Sequence, residues 1–440
     1  MMKAETEISL AIKSFGFQWQ KYMFIAAVMS LGIAVFLVVS NLYINLTSAF
    51  EQPHLHQLYK PVLNDWKKDE AFDELDSSKL PPLMSYQNSM ALAQIEPGQN
   101  ASSFKTEVIY YPSQAQSLSL LPLSTRVSSI SFFEIFNLHF KFGGKDELTQ
   151  KSGAWVVLSN QTNERLFAGA NSVGKKLNLN GHYFEVAAVL EEKTHLFREH
   201  DVVNGAFEGS EDIYLPWQAA DVLNPVIRGK KLCKDGKYAS RYLDVKEGSC
   251  LWVNHWVKLA DSELHAYEQE VSSYAQQLSA TGMLTGETPY QIYRAKDWYE
   301  KSGVINNDSK IFPLLAIAFM FVCAVNACVI LYAQAIEQKP DAANWYAFGL
   351  SRRSILSVFL IQSGICSLFI VALTFVFSLV GISVFKGIFP AYETSLYLGL
   401  DSFFIMVVIS ISFMLFFSLF PGISLSRVKP VVYLKQGGVA

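Results

Sequence analysis

Charge is scarce in this sequence. Only 17% of its 440 residues are Asp, Glu, Lys or Arg, where about a quarter is usual in soluble domains. The two signs nearly balance, at −3 overall, so no basic excess marks a nucleic-acid binder. Cysteine is sparse as well, five in all, and no Cys-x-x-Cys or Cys/His spacing of a zinc site occurs. Cys323, Cys328 and Cys366 lie in apolar stretches, where cysteine behaves as a small hydrophobe. Cys233 and Cys250 lie in the polar middle. They form a candidate disulfide if that region meets an oxidising compartment, and two thiols if it does not. Neither His-Glu-x-x-His nor Gly-x-Ser-x-Gly occurs, which removes two common hydrolase signatures. His195 and His200 with Glu199 and Asp201, and likewise His54 with His56, read as polar surface loops, and no metal site is assigned.

The hydrophobic residues, 51% of the chain, are concentrated near its two ends. A bilayer core of about 30 Å needs about 20 apolar residues in helix. Four stretches meet that length: 23–46, 310–336, 355–385 and 403–420. None carries Asp, Glu, Lys or Arg in its interior, so no intramembrane ion pathway is marked and proton coupling is disfavoured. The first stretch is longer than the apolar core of a signal peptide and lacks an Ala-x-Ala site, so it reads as a retained helix. Lys and Arg set the orientation. Lys3, Lys13 and Lys21 precede the first span. Lys339, Arg352 and Arg353 lie in the 337–354 loop, and Arg427, Lys429 and Lys435 in the 421–440 tail. The 386–402 loop offers only Lys386. Both termini and the 337–354 loop are therefore expected to be cytoplasmic, and the 47–309 domain extracytoplasmic. In segment 1–22, Ile8, Ile12, Phe15 and Trp19 recur at helical spacing. This fits an amphipathic helix in the membrane interface, with Trp19 and Tyr22 at headgroup level.

The middle mixes periodicities. Val108–Tyr111, Ala154–Leu158, Lys176–Asn180 and Tyr183–Leu190 read as strands, with Asn180-Gly181 as a hairpin turn. Asn160–Phe167 and Asp261–Ala280 read as helices, the second with Leu264, Tyr267, Val271, Tyr274 and Leu278 on one face. Without a βαβ repeat, an α+β domain is expected. The Asp65–Pro82 stretch reads as a surface excursion. Gly169-Ala-Asn-Ser-Val-Gly174-Lys175-Lys176 approaches the phosphate-binding loop pattern, but Lys176 replaces the Ser or Thr that would hold Mg²⁺. The predicted helix before it and strand after it also reverse the required order.

Several of these segments resemble the periplasmic core domain of MacB-type permeases: Val127–Asn137, Trp155–Ser159, Glu164–Phe167, Gly174–Gly181 and Phe184–Leu190. The C-terminal part resembles the FtsX-like permease domain, through Ala324-Val-Asn326, Ala347-Phe-Gly349-Leu-Ser-Arg352-Arg353-Ser-Ile355, Pro421, Ser426-Arg427 and Pro430–Leu434. The resemblance implies a membrane protein of four transmembrane helices in a one-plus-three arrangement around a large α+β extracytoplasmic domain. It implies an ABC permease of the inner (plasma) membrane that works by mechanotransmission and has no catalytic residue of its own. Asp341, Trp345, Tyr346, Phe348, Gly349, Arg352 and Arg353 would form the segment that docks on a cytoplasmic ABC ATPase dimer. The basic residues that the family places before its Ala-Leu-Gly are replaced here by Asp341-Ala-Ala-Asn-Trp-Tyr346. MacB itself carries its ATPase on the same chain. Here the segment before the first span is short, so the ATPase, with its ATP and Mg, is expected on a separate subunit. A second permease as homo- or heterodimer, a periplasmic adaptor, an outer-membrane channel and membrane lipids are the further partners implied. Export of a peptide or small amphiphile is the implied function. Lipoprotein release and FtsX-like control of an extracytoplasmic hydrolase are the alternatives.

Overall fold

The computed structural model describes residues 2–48, 50–66, 72, 79–112, 120–150, 155–192, 197–234, 240–284, 288–304, 311–388 and 399–428. His195 and the 430–434 segment lie outside the described residues. The chain divides into two units, one formed by its two ends and one spanning Ser48–Asn306.

The first unit is helical. It contains α1 (Met2–Phe17) and α2 (Trp19–Ser48), and later α11 (Ile311–Glu337), α12 (Lys339–Ala347), α13 (Arg352–Ile388) and α14 (Leu400–Ser426). Four of these, α2, α11, α13 and α14, are long and apolar enough to cross a membrane. Helix α11 matches its expected limits to within one residue, and α2, α13 and α14 each run two to six residues past theirs. Pro421 sits inside α14, which continues to Ser426. A helix tolerates proline where the lost N–H can be accommodated, and Ile423 and Leu425 continue the apolar pattern. The bundle packs around Tyr22, Met29, Ile33, Ala324, Leu331, Phe359, Ile370 and Met414. Gly32 makes a close approach possible, because a Cβ there would lie 2.8 Å from Cys323 Cβ. Phe404, Val408, Phe416 and Phe420 remain exposed on α14, as expected of helices solvated by lipid.

In α1 the expected apolar face is divided. The expected 1–22 helix breaks at Gln18, so Trp19 and Tyr22 belong to α2; in α1 Ile8 and Ile12 are exposed, whereas Phe15 stacks on Tyr22 at 4.7 Å and on Phe369 at 5.9 Å. Phe15 therefore docks the helix on α13, and the isoleucines stay outward.

The second unit is built on one mixed sheet. Its strands are β1 (Leu58–Leu63), β2 (Gln99–Tyr110), β3 (Leu121–Ser128), β4 (Phe140–Gly143), β5 (Trp155–Leu158), β6 (Lys176–Leu179), β7 (His182–Leu190), β8 (Ile213–Leu215), β11 (Asn254–Lys258) and β12 (Tyr290–Arg294). The order is β12-β1-β11-β2-β3-β8-β5-β7-β4, with β6 pairing β2 and β7. Pairs β3·β8 and β5·β7 are parallel, and the other pairs are antiparallel. A separate small ribbon joins β9 (Leu232–Cys233) to β10 (Cys250–Leu251). Helices α3 (Tyr86–Leu92), α4 (Ser131–Ile135), α5 (Lys145–Gln150), α6 (Asn160–Phe167), α7 (Trp217–Leu223), α8 (Tyr242–Lys246), α9 (Leu264–Ala280) and α10 (Ala295–Lys301) flank it.

Local chemistry explains several elements. Asn180 and Gly181 have φ of 49° and 90°, the positive values that a two-residue hairpin of the I′ type requires. Ser159 caps α6 by accepting from the Thr162 amide at 3.1 Å, as an N-cap serine does. Helix α9 buries Tyr267, Val271 and Ala275 against Tyr59, Leu63 and Val257. Two larger cores complete the unit. One is rich in aromatics and includes Phe50, Phe132, Phe133, Trp155, Phe197, Trp256 and Tyr299. The other gathers Phe104, Val156, Val186, Leu215, Tyr242 and Trp252. Asp65 corrects the surface reading of its stretch. It is buried, held by the Asn88 amide at 2.9 Å and by Lys234, and burial raises its carboxyl above the usual range.

Candidate coupling segment and the ionic core of the outer domain

Helix α12 follows α11 after a single residue, Gln338. Its inward side is small and tightly fitted: Ala342 and Ala343 are fully buried, and Trp345 packs half-buried on the bundle core. The next turn reverses the chain. Gly349 has φ of +92°, a conformation glycine reaches without steric strain. Ser351 then caps α13, its Oγ accepting from the Ser354 amide at 3.2 Å. Between these anchors Asp341, Tyr346, Phe348, Arg352 and Arg353 all face solvent, and Phe348 is 87% exposed. An apolar ring flanked by two guanidinium groups on a short rigid turn can seat in a groove and bind carboxylates or phosphates.

Sequence reasoning missed the polar base of this segment. Gln338 is buried and donates to Gln18 Oε1 at 3.2 Å. Lys21 pairs with Glu337. Tyr22 donates to Gln362 Oε1 at 2.9 Å. Both polar atoms of Gln334, one turn before Gln338, are buried and have no partner among the described residues. The spacing of Gln334 and Gln338 in an otherwise apolar helix was the available signal.

In the outer domain, Cys233 and Cys250 are partners across the β9–β10 ribbon and are joined by a disulfide. The Gly169–Lys176 loop runs from α6 into β6, and Lys175 lies over the Phe167 ring at 4.5 Å.

The histidine and acidic cluster is not a surface loop. Arg126 on β3 is fully buried, with Nη2 2.5 Å from Asp201 Oδ2 and Nε 2.6 Å from Glu211 Oε1. Arg198 also binds Glu211, and its other arm reaches Glu208 at 3.1 Å. Glu211 further accepts from Tyr214 at 3.2 Å. Asn254 donates to Asp201 at 2.7 Å and accepts from Lys60 at 3.0 Å. Burial would raise the Asp201 carboxyl, but Arg126, with Arg198 and His200, outweighs it and holds it at about 2. The same balance, dominated on the favourable side by Arg126, keeps Glu211 well below the carboxylate range. Burial, then Arg126, lowers His200 to about 4, so it is neutral at pH 7. Burial lowers Lys60 to about 7, against the pull of Asp201, and its amine lies over Trp256 and Trp298. Among the described residues no three His, Cys, Asp or Glu converge as metal ligands.

The MacB-like periplasmic core domain profile matches residues 23–271, more than half of the chain. The chain belongs to the MacB-like family of ABC permeases. Two solved structures are similar to this MacB-like chain. One is the periplasmic region of MacB from Actinobacillus actinomycetemcomitans, at 14% identity and TM-score 0.33, covering 57% of this chain and 94% of that one. The other is the extracellular domain of the ABC-type transporter YknZ from Gram-positive bacteria, at 14% identity and TM-score 0.32, covering 54% and 99%. Among curated proteins none matches. The MacB-like assignment agrees with four candidate membrane helices and a mixed α/β domain placed between the first and the second.

Proposed function

We propose that the chain is the permease subunit of an ATP-driven transporter, working with a separate cytoplasmic ABC ATPase dimer that binds the ATP and Mg. The observation that carries this is the exposed group Tyr346, Phe348, Arg352 and Arg353, held on a turn anchored by the buried Ala342 and Ala343 on one side and the Ser351 cap on the other. In this reading both termini and the α12–α13 turn are cytoplasmic and the Ser48–Asn306 unit is extracytoplasmic. Two permeases pair, ATP binding draws the ATPases together, and the helices pass that motion to the outer domains. The cargo is a peptide or small amphiphile, handed on through a periplasmic adaptor and an outer-membrane channel. The absence of Asp, Glu, Lys and Arg from the span interiors supports ATP over protons as the energy source.

The test is recovery of partners. The tagged chain is purified from its native membrane in mild detergent, and co-purifying proteins are identified by mass spectrometry. An ABC ATPase is expected, and it should be lost in the Phe348→Ala, Arg352→Ala, Arg353→Ala variant. These side chains are exposed, so the variant should unfold within about 0.5 kcal/mol per site of the parent. Absence of an ATPase from the parent, even after crosslinking, overturns the reading.

A further inference from the structure

One end of the helical unit holds a group of side-chain amides among apolar residues. Gln334 and Gln338 stand one turn apart on α11, so they share a face of that helix. Gln362 lies on α13 and Tyr22 on α2. All four are at most 1% exposed. Leu331, Ala335, Phe359 and Cys366, their neighbours along α11 and α13, belong to the bundle core.

The Tyr22 hydroxyl links the two longer helices. It donates to Gln362 Oε1 at 2.9 Å and accepts from the Gln338 amide. The same amide donates to Gln18 Oε1 at 3.2 Å. These bonds account for only part of the group. Gln334 Oε1, Gln334 Nε2, Gln338 Oε1 and Gln362 Nε2 are buried and have no partner among the described residues. They are two carbonyl acceptors and two amide donors. A direct bond from Gln334 Nε2 to Gln338 Oε1 would still leave the other two unpaired. Turning an amide over exchanges its oxygen and nitrogen, so it moves the shortfall without removing it. Leaving such groups dry inside a membrane-spanning bundle is costly, because no solvent reaches them.

We propose that this group is a water-binding site, with ordered water held between Gln334, Gln338 and Gln362. Water carries two donors and two acceptors, the complement of the four unpaired atoms. A buried water is stable where several polar partners surround it. A metal cation is a poor match. The two unpaired amide nitrogens would repel it, and the two unpaired oxygens are too few to replace its hydration shell. Water is then part of what joins α11 to α2 and α13.

The experiment uses the full chain in lipid bilayers, with isotope-labelled glutamine and isoleucine, and solid-state NMR. Single Gln→Met substitutions assign the side-chain amide signals. Magnetisation from water is expected to reach the Gln334 and Gln362 amides several-fold faster than the backbone amide of Ile370, which is equally buried in the bundle core. A soluble gadolinium chelate should broaden the signal of Gln20, an exposed glutamine of α2, and leave Gln334 and Gln362 sharp, as bound water rather than open solvent requires. Gln334→Met keeps the shape of the side chain and removes two of the four atoms, so transfer to Gln362 should fall several-fold. If this variant does not fold, Gln362→Met is read at Gln334 in the same way. Transfer to Gln334 and Gln362 no faster than to Ile370 means a dry site and overturns the proposal. Broadening of Gln334 together with Gln20 overturns it too, as does transfer to Gln362 that is unchanged in Gln334→Met.

Discussion

Arg126→Met isolates the ionic core of the outer domain. Methionine keeps most of the buried volume and removes the charge. Glu211 retains Arg198, His200 and the Tyr214 hydroxyl. Asp201 keeps only amide donors, from Asn254 at 2.7 Å and Asn204 at 2.8 Å. Breaking a buried ion pair by removing one partner costs about 3–5 kcal/mol, and the surviving partners of Glu211 place this change toward the lower end. For a unit of this size that corresponds to a fall in Tm of roughly 6–16 °C. The pH dependence separates the charge effect from lost packing. In the parent, Asp201 sits at about 2, below the roughly 3.9 of an unfolded aspartate. Its contribution is therefore present above about pH 4 and is lost as pH falls through 2. In the variant the unpaired carboxyl is raised instead, so its burden is greatest at neutral pH and is relieved by protonation. The gap between the two proteins should narrow steadily from pH 7 to pH 4. Urea unfolding in mild detergent, followed by tryptophan fluorescence, measures it, since Trp155, Trp217, Trp252, Trp256 and Trp298 all lie in the outer domain. A loss below about 1 kcal/mol at pH 7, or a loss that does not change with pH, refutes the account.

Lys60 is held at about 7 by burial, below its unfolded value of about 10.4. The unfolded chain thus binds more protons between these limits, and stability should rise with pH by up to about 1.4 kcal/mol per unit. In Lys60→Met that rise should vanish, which unfolding midpoints at pH 7.5, 8.5 and 9.5 will show. Gly32→Val should force α2 and α11 apart at Cys323, at about 1–3 kcal/mol, read as easier unfolding in denaturing detergent with the outer domain unaffected. Cys250→Ser opens a loop of sequence separation 17 and should cost about 3 kcal/mol of outer-domain stability. Intact-mass measurement after thiol alkylation, with and without reductant, checks that the bond is present in the parent.

The helical unit was legible because its signals are local and long. Spans of apolar residues declare themselves within one window, as do the Asn180-Gly181 hairpin and the periodic face of α9. Strands β1 and β3 were not legible. Each is buried along most of its length, so no alternation appears, and β1 carries Lys60 and Pro61 while β3 carries Arg126. A lysine, a proline and an arginine in short runs argue against a central strand. They are tolerated here because their partners arrive from far along the chain: Lys60 meets Asn254, 194 positions away, and Arg126 meets Asp201 and Glu211, 75 and 85 positions away. No sequence window contains those pairs.

The same contrast separates the two groups of residues that matter most. The α12–α13 turn was found through a short contiguous resemblance, Ala347-Phe-Gly349-Leu-Ser-Arg352-Arg353-Ser-Ile355, which a single window contains. His54, Glu199, His200 and Asp201 looked ordinary locally, and read as surface, because a polar loop with histidines is commonplace. They become exceptional only once buried. The consequences of change should divide accordingly. Substitutions in the turn should leave stability nearly intact, since Phe348 contributes almost no buried surface within the chain, and on the proposed function they should remove the ATPase. Substitutions in the ionic core should destabilise the outer domain, since Arg126, Arg198, Asp201 and Glu211 are buried and paired with one another.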